Sequence, residues 1–146
     1  SGPLGELLQR LDLPLSHGEE AFVVVATRVG AYDSDYALAR LDFAAGSSHS
    51  LWAPSLPRTV GTTARVRIQA RDVSLALSSQ GDSSILNDLA GHVESLDDQP
   101  PGRLLVRLKV GNEKLLARLT RKSADRLGIA AGMPVRVQVK SVALLD

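Results

Sequence analysis

Two stretches of this chain nearly repeat each other: Val66 to Leu77 reads VRIQARDVSLAL, and Val135 to Leu145 reads VRVQVKSVALL. A chain that repeats itself builds the same small unit twice, and this restricts the fold more than any single motif does. Placing Val66 on Val135, a shift of 69, aligns ten consecutive positions and sets Arg71-Asp72 against Lys140-Ser141. Upstream, LARLDF at Leu38 falls on LVRLKV at Leu105, and LWA at Leu51 falls on LLA at Leu115. The organisation expected is a linker with a short helix over 1–18, a first repeat over 19–78 and a second over 79–146. A unit of ~60 residues buries too little surface to stand alone, so the halves are expected to pack together.

The local pattern gives the class. Apolar and polar residues alternate in Ala37 to Phe43 and Val66 to Ala70, the period of half-buried strands, and turn residues separate the strand-like segments. Leu4, Leu7, Leu8 and Leu11 share one helical face between Pro3 and Pro14, which predicts a short helix. SADRLG predicts a second, with Ser123 as N-cap, Asp125 in the first turn and Gly128 at the C-terminal cap. The first half has the Pro-containing PSLPRTVG instead. The fold expected is all-β: two tandem OB-like barrels of about five strands each.

Composition narrows the function. Seventeen Lys and Arg against 16 Asp and Glu leave a net charge of +1, without the basic footprint of a duplex binder. Five scattered aromatic residues do not make the stacking rows of a single-strand binder, so no nucleic-acid partner is expected. With no cysteine there is no disulfide framework, thiolate metal site or Cys nucleophile. The longest apolar run, Ala21 to Ala26, falls far short of the ~20 residues that cross a bilayer, and no secretory signal pattern opens the sequence. A cytoplasmic protein without membrane insertion is the expectation.

Three motifs in order, VRIQARDVSLAL at Val66, SSILNDLAGHV at Ser83 and LTRKSADRLGIAAGMPVRVQVKS at Leu119, resemble molybdate-binding Mop repeats. The arrangement is similar to the tandem Mop (TOBE, di-Mop) regulatory domain of the ATPase subunit of molybdate ABC importers, over roughly Phe22 to Leu145. The resemblance implies a homodimer that binds molybdate or tungstate, senses the oxyanion inside the cell and restrains transport. Its partners would be the nucleotide-binding domain and the membrane permease, at the inner face of the plasma membrane. No G-x-x-x-x-G-K-S/T pattern occurs, so this chain is read as a non-enzymatic sensor. The alternatives are a free-standing, molbindin-like storage protein and a dimerisation module without a ligand. The helix expected at Leu4 to Leu13 favours the sensor, which needs a linker to its ATPase.

A tetrahedral dianion calls for hydroxyls, amide N–H groups, backbone N–H groups and one cation, with little acceptor charge nearby. By the resemblance these are Ser83, Ser84 and Asn87 of a Ser-x-x-Asn element, with Lys140 and Ser141 from the repeated strand. No metal or cofactor is expected beyond the oxyanion. Related sequences often carry Arg inside that element, where this chain has Ile85 and Leu86. The first copy, with a carboxylate at Asp72, makes the poorer anion site. His17, His49 and His92 have no metal-ligand spacing. Asp33 with Asp35 and Asp97 with Asp98 read as turn residues rather than catalytic pairs. Trp52 reads as a strand residue packed between the repeats.

Overall fold

The computed structural model describes residues 21–44, 49–78 and 84–145; the helix expected at Leu4 to Leu13, and Ser83, lie outside these. The described elements are β1 (Phe22–Asp33), β2 (Leu38–Phe43), β3 (Ser50–Pro54), β4 (Thr63–Gln69), a 3-10 turn (Ala70–Asp72) and β5 (Val73–Ala76). They continue with β6 (Asn87–Gln99), β7 (Arg103–Val110), β8 (Glu113–Thr120), α1 (Arg121–Leu127), β9 (Pro134–Val139) and β10 (Ala143–Leu145). Period-two patterning places the strands: in β4, Ala64, Val66 and Ile68 point inward while Thr63 and Arg65 are exposed. In β1, Val25, Thr27 and Val29 do the same against exposed Val24, Ala26 and Arg28.

All pairings are antiparallel and fall into two five-stranded sheets, ordered β10-β4-β1-β2-β3 and β5-β9-β6-β7-β8. Adding five to each strand number of the first sheet, or subtracting five for β10, reproduces the second. The OB-like architecture is therefore duplicated as expected, with an exchange: each sheet takes one edge strand, β10 or β5, from the other half. Leu89 and Val93 share one continuous apolar core with Val25, Leu41, Val66 and Val73 of the first half.

The equivalence extends to irregularities. The β1–β2 ladder slips between Val29 and Ala31, and the β6–β7 ladder slips between Val93 and Ser95. At each slip the valine carbonyl accepts from a left-handed glycine: Gly61 at 2.8 Å (φ 97°) and Gly132 at 2.7 Å (φ 87°). Only glycine adopts that conformation without penalty.

The ladders also correct the alignment of the repeated strand. Val23 pairs with Ile68 and Asn87 with Val139, so β4 corresponds to β9 with a shift of 71 and the equivalent of Val66 is Val137, not Val135. Arg67 pairs with Ala143 and Gln138 with Ser74, so β5 corresponds to β10 with a shift of 69. The crossover between sheets is thus two residues longer in the first half, and the 3-10 turn takes up the excess. Lys140 and Ser141 have no one-to-one counterparts in Arg71 and Asp72.

The short helix is also displaced from its expected start. Thr120 is the N-cap of α1, its hydroxyl accepting from Ser123 N–H at 3.0 Å, so Ser123 lies within the helix and no acidic residue occupies the first turn. Gly128 closes the helix at φ 68° as expected.

Candidate functional site

The second crossover begins where β9 ends. Asn87, the first residue of β6, lies opposite Val139, the last of β9. Ser84, three positions before Asn87, and Lys140 and Ser141, just after Val139, therefore leave the ladder at the same end. Ser84, Lys140 and Ser141 are all exposed. Four of the five candidate residues are thus assembled at one end of one ladder; the fifth, Ser83, lies outside the described residues. The backbone N–H of Lys140 donates to the Asp72 carbonyl at 2.8 Å, so the two crossovers touch.

Asn87 is 6% exposed, and its amide is engaged across the sheets. Its Oδ1 accepts from Trp52 N–H at 2.8 Å and its Nδ2 donates to the Trp52 carbonyl at 3.0 Å. One N–H of the amide remains. The two bonds fix the end of β6 to β3, the outer strand of the other sheet, and satisfy backbone groups that an edge strand otherwise presents to solvent. Trp52 joins the two halves through its backbone, where the sequence suggested packing between the repeats.

Beside this clamp lies a groove of about 390 Å³, lined by His49, Ser50 and Trp52 on the β3 side, Leu86 to Ala90 on the β6 side, and Arg136. Arg136 Nε donates to Asp88 Oδ1 at 2.9 Å and Nη2 donates to the Asp88 carbonyl at 3.1 Å. This half-buried pair neutralises the charge of that wall. Leu86 is 63% exposed at the rim, and His49 stacks on Phe43 with ring centroids 6.2 Å apart.

The place equivalent to the clamp is apolar in the other half. Val23 stands where Asn87 does, and Leu116 where Trp52 does; Val23 packs on a cluster of Ala21, Ala70, Leu105 and Leu116. Ala70, which belongs to the longer crossover, is fully buried there. The acidic pairs singled out in the sequence have structural roles. Asp33 Oδ1 accepts from the N–H groups of Asp35 and Tyr36 in a turn, while Asp97 pairs with Arg107 and Asp98 with Arg121. Among the described residues no group of three or more His, Cys, Asp and Glu could hold a metal, and no helix is long and apolar enough to cross a membrane.

Comparison with known proteins supplies the class. The TOBE domain model matches residues 83–145, which make up most of the second half of the chain. Over 99% of its length the chain is 54% identical to a molybdenum import ATP-binding protein, ModC, of Aromatoleum aromaticum, covering 38% of that protein. The ModC of Methylococcus capsulatus is 51% identical over 100% of the chain and 40% of its own length. The chain spans about two-fifths of the length of these curated relatives. Among solved structures, the cytoplasmic molybdate-binding protein ModG, with molybdate bound, matches with a TM-score of 0.68 and 22% identity, over 84% of this chain and 92% of that one. At that identity the likeness is one of fold. The chain resembles the TOBE-bearing part of ModC proteins and has the OB-like Mop fold seen in ModG.

Proposed function

We propose that this chain is the oxyanion-binding regulatory domain of a molybdate importer's ATP-binding subunit. The observation that carries the reading is the common end of the β6–β9 ladder, where Ser84, Asn87, Lys140 and Ser141 come together in a chain that aligns along its whole length with part of ModC. Lys140 supplies the cation, Ser84 and Ser141 the hydroxyls, and Asn87 its one uncommitted N–H. Ser83 adds a further hydroxyl to the same element. Charge-assisted hydrogen bonds to a dianion are worth ~1.5–3 kcal/mol each, so a few of them reach useful affinity without a large buried area.

In this reading the domain works as a homodimer in the cytoplasm, next to the nucleotide-binding domain and the permease, and carries no catalytic group of its own. Oxyanion occupancy restrains transport. Calorimetric titration with molybdate, tungstate and sulfate tests it: micromolar or tighter binding of the first two, about −8 kcal/mol or better, is expected. The Lys140→Ala, Ser141→Ala double variant should lose it. The likeness to ModG, which covers 92% of that chain, favours a second reading as a molybdate buffer. In an assembled importer, ATP hydrolysis that falls when molybdate is added supports the sensor; hydrolysis indifferent to molybdate that the domain still binds supports the buffer.

A further inference from the structure

The contact between Asn87 and Trp52 joins two places with different jobs. Flanking β3, His49 and Ser55 bond toward the β2 side: the His49 carbonyl accepts from Phe43 N–H at 3.0 Å, and Ser55 N–H donates to the Ala37 carbonyl at 2.9 Å. Ser50, Trp52 and Pro54 therefore face the free edge, and Pro54 has no N–H to offer there. Trp52 is the point on this edge where the other sheet takes hold, through both backbone groups and a single side chain. That side chain stands at the ladder end from which Ser84, Lys140 and Ser141 emerge. In the other half Val23 packs on the apolar cluster that includes Leu116, so among the described residues this polar clamp belongs to one half alone.

We infer that Asn87, besides offering its remaining N–H to the anion, couples the oxyanion site to the edge strand of the opposite sheet through its two bonds to Trp52: closing the Asn87–Trp52 clamp sets the end of β6 in its binding geometry, and anion binding in turn holds β3 closed. The inference rests on the reading of Ser84, Lys140 and Ser141 as the anion site. Coupling of this kind is reciprocal, because a ligand that binds only the closed form suppresses opening by the factor it gains in binding. β3 forms one wall of the groove, so the anion would control whether that groove keeps its shape.

Hydrogen exchange at the Trp52 amide in the wild-type chain reads the coupling directly. With molybdate at a hundred times its dissociation constant, exchange at Trp52 should slow by about 100-fold, since openings that dismantle a site are suppressed by one plus the ratio of ligand to dissociation constant. A pair of variants separates positioning from direct contact. Trp52→Phe keeps the backbone N–H, whereas Trp52→Pro deletes the donor to Asn87 Oδ1 at an edge position that tolerates proline and leaves Asn87 in place. Trp52→Pro should bind molybdate at least tenfold more weakly than Trp52→Phe.

If the wild type binds molybdate while Trp52 exchange stays unchanged, or if the two variants bind equally, the coupling is overturned and the anion site stands. An absence of binding heat in the wild type removes the site and the coupling with it. Should Trp52→Pro fail to fold, the wild-type exchange rate decides alone.

Discussion

The two crossovers of this molecule start from equivalent strands, β4 and β9, and end in different chemistry. In the first half, five residues separate Ile68 from Ser74; in the second, three separate Val139 from Ala143. The longer connection coils into a 3-10 turn and drives Ala70 into a cluster with Ala21, Leu105 and Leu116. The shorter one leaves Lys140 and Ser141 exposed at the end of the β6–β9 ladder, where Asn87 lines a groove of about 390 Å³. Duplicating a fold supplies two equivalent places: the longer crossover contributes Ala70 to apolar packing at one, and the other carries the polar Asn87–Trp52 clamp.

The most demanding test exchanges that difference. Inserting Gln-Ala between Val139 and Lys140 gives the second crossover the length of the first while keeping both Lys140 and Ser141. The expected result is a folded domain whose molybdate affinity falls more than 100-fold in calorimetry, because the inserted residues carry Lys140 and Ser141 away from Ser84 and Asn87 at the ladder end. Binding that survives would mean that the side chains make the site and the length of the crossover does not matter.

Stability should divide the halves in the same way. Leu105→Ala removes a fully buried side chain from the sealed cluster and should cost ~3 kcal/mol in denaturant unfolding. Leu86→Ala at the groove rim should stay within ~0.5 kcal/mol, as exposed substitutions do. A smaller contrast sits at Thr27 and Gly91, equivalent positions on β1 and β6. Thr27 is buried, its hydroxyl donating to the Ala64 carbonyl at 2.7 Å. A Cβ on Gly91 would lie 2.8 Å from the Lys109 carbonyl oxygen and 2.9 Å from Val110 Cγ2. Gly91→Ala should therefore lower stability by ~2 kcal/mol through overpacking, and Thr27→Ala by ~1 kcal/mol through the lost hydrogen bond. Equal costs would mean the two halves pack alike at this point.

Much of this plan is legible in the sequence, and its gaps have identifiable causes. LARLDF and LVRLKV are β2 and the end of β7, and LWA and LLA lie in β3 and β8, as the repeat implies. The shift of the third anchor is misread because VRIQ and VRVQ alternate with period two. Sliding one past the other by two residues keeps every side chain on its proper face, so pattern alone does not distinguish 69 from 71. The exchange of β5 and β10 is hidden for a related reason: the two strands are so alike that either completes either sheet. The candidate residues Ser84, Asn87, Lys140 and Ser141 are found by motif and do assemble at one ladder end. The clamp is not, because the partner of Asn87 is a backbone unit 35 positions away that no side-chain pattern marks.

The faintest contrast is between His49, just before β3, and its equivalent Glu113, the first residue of β8. His49 lines the groove, whereas burial raises the Glu113 carboxyl above its ordinary pKa. An acid whose pKa is higher folded than unfolded binds its proton more tightly in the native state. Its favourable contribution is then complete below the ordinary carboxylate value and is lost as pH rises through the raised one. Glu113→Gln, which is neutral at every pH, should flatten the stability curve over that acidic interval and make the domain slightly more stable than wild type at neutral pH. Chemical unfolding from the acid range to neutrality measures it. A curve of unchanged slope would show that the sealed half does not desolvate this carboxyl, and that the burial separating the two halves ends before it reaches the start of β8.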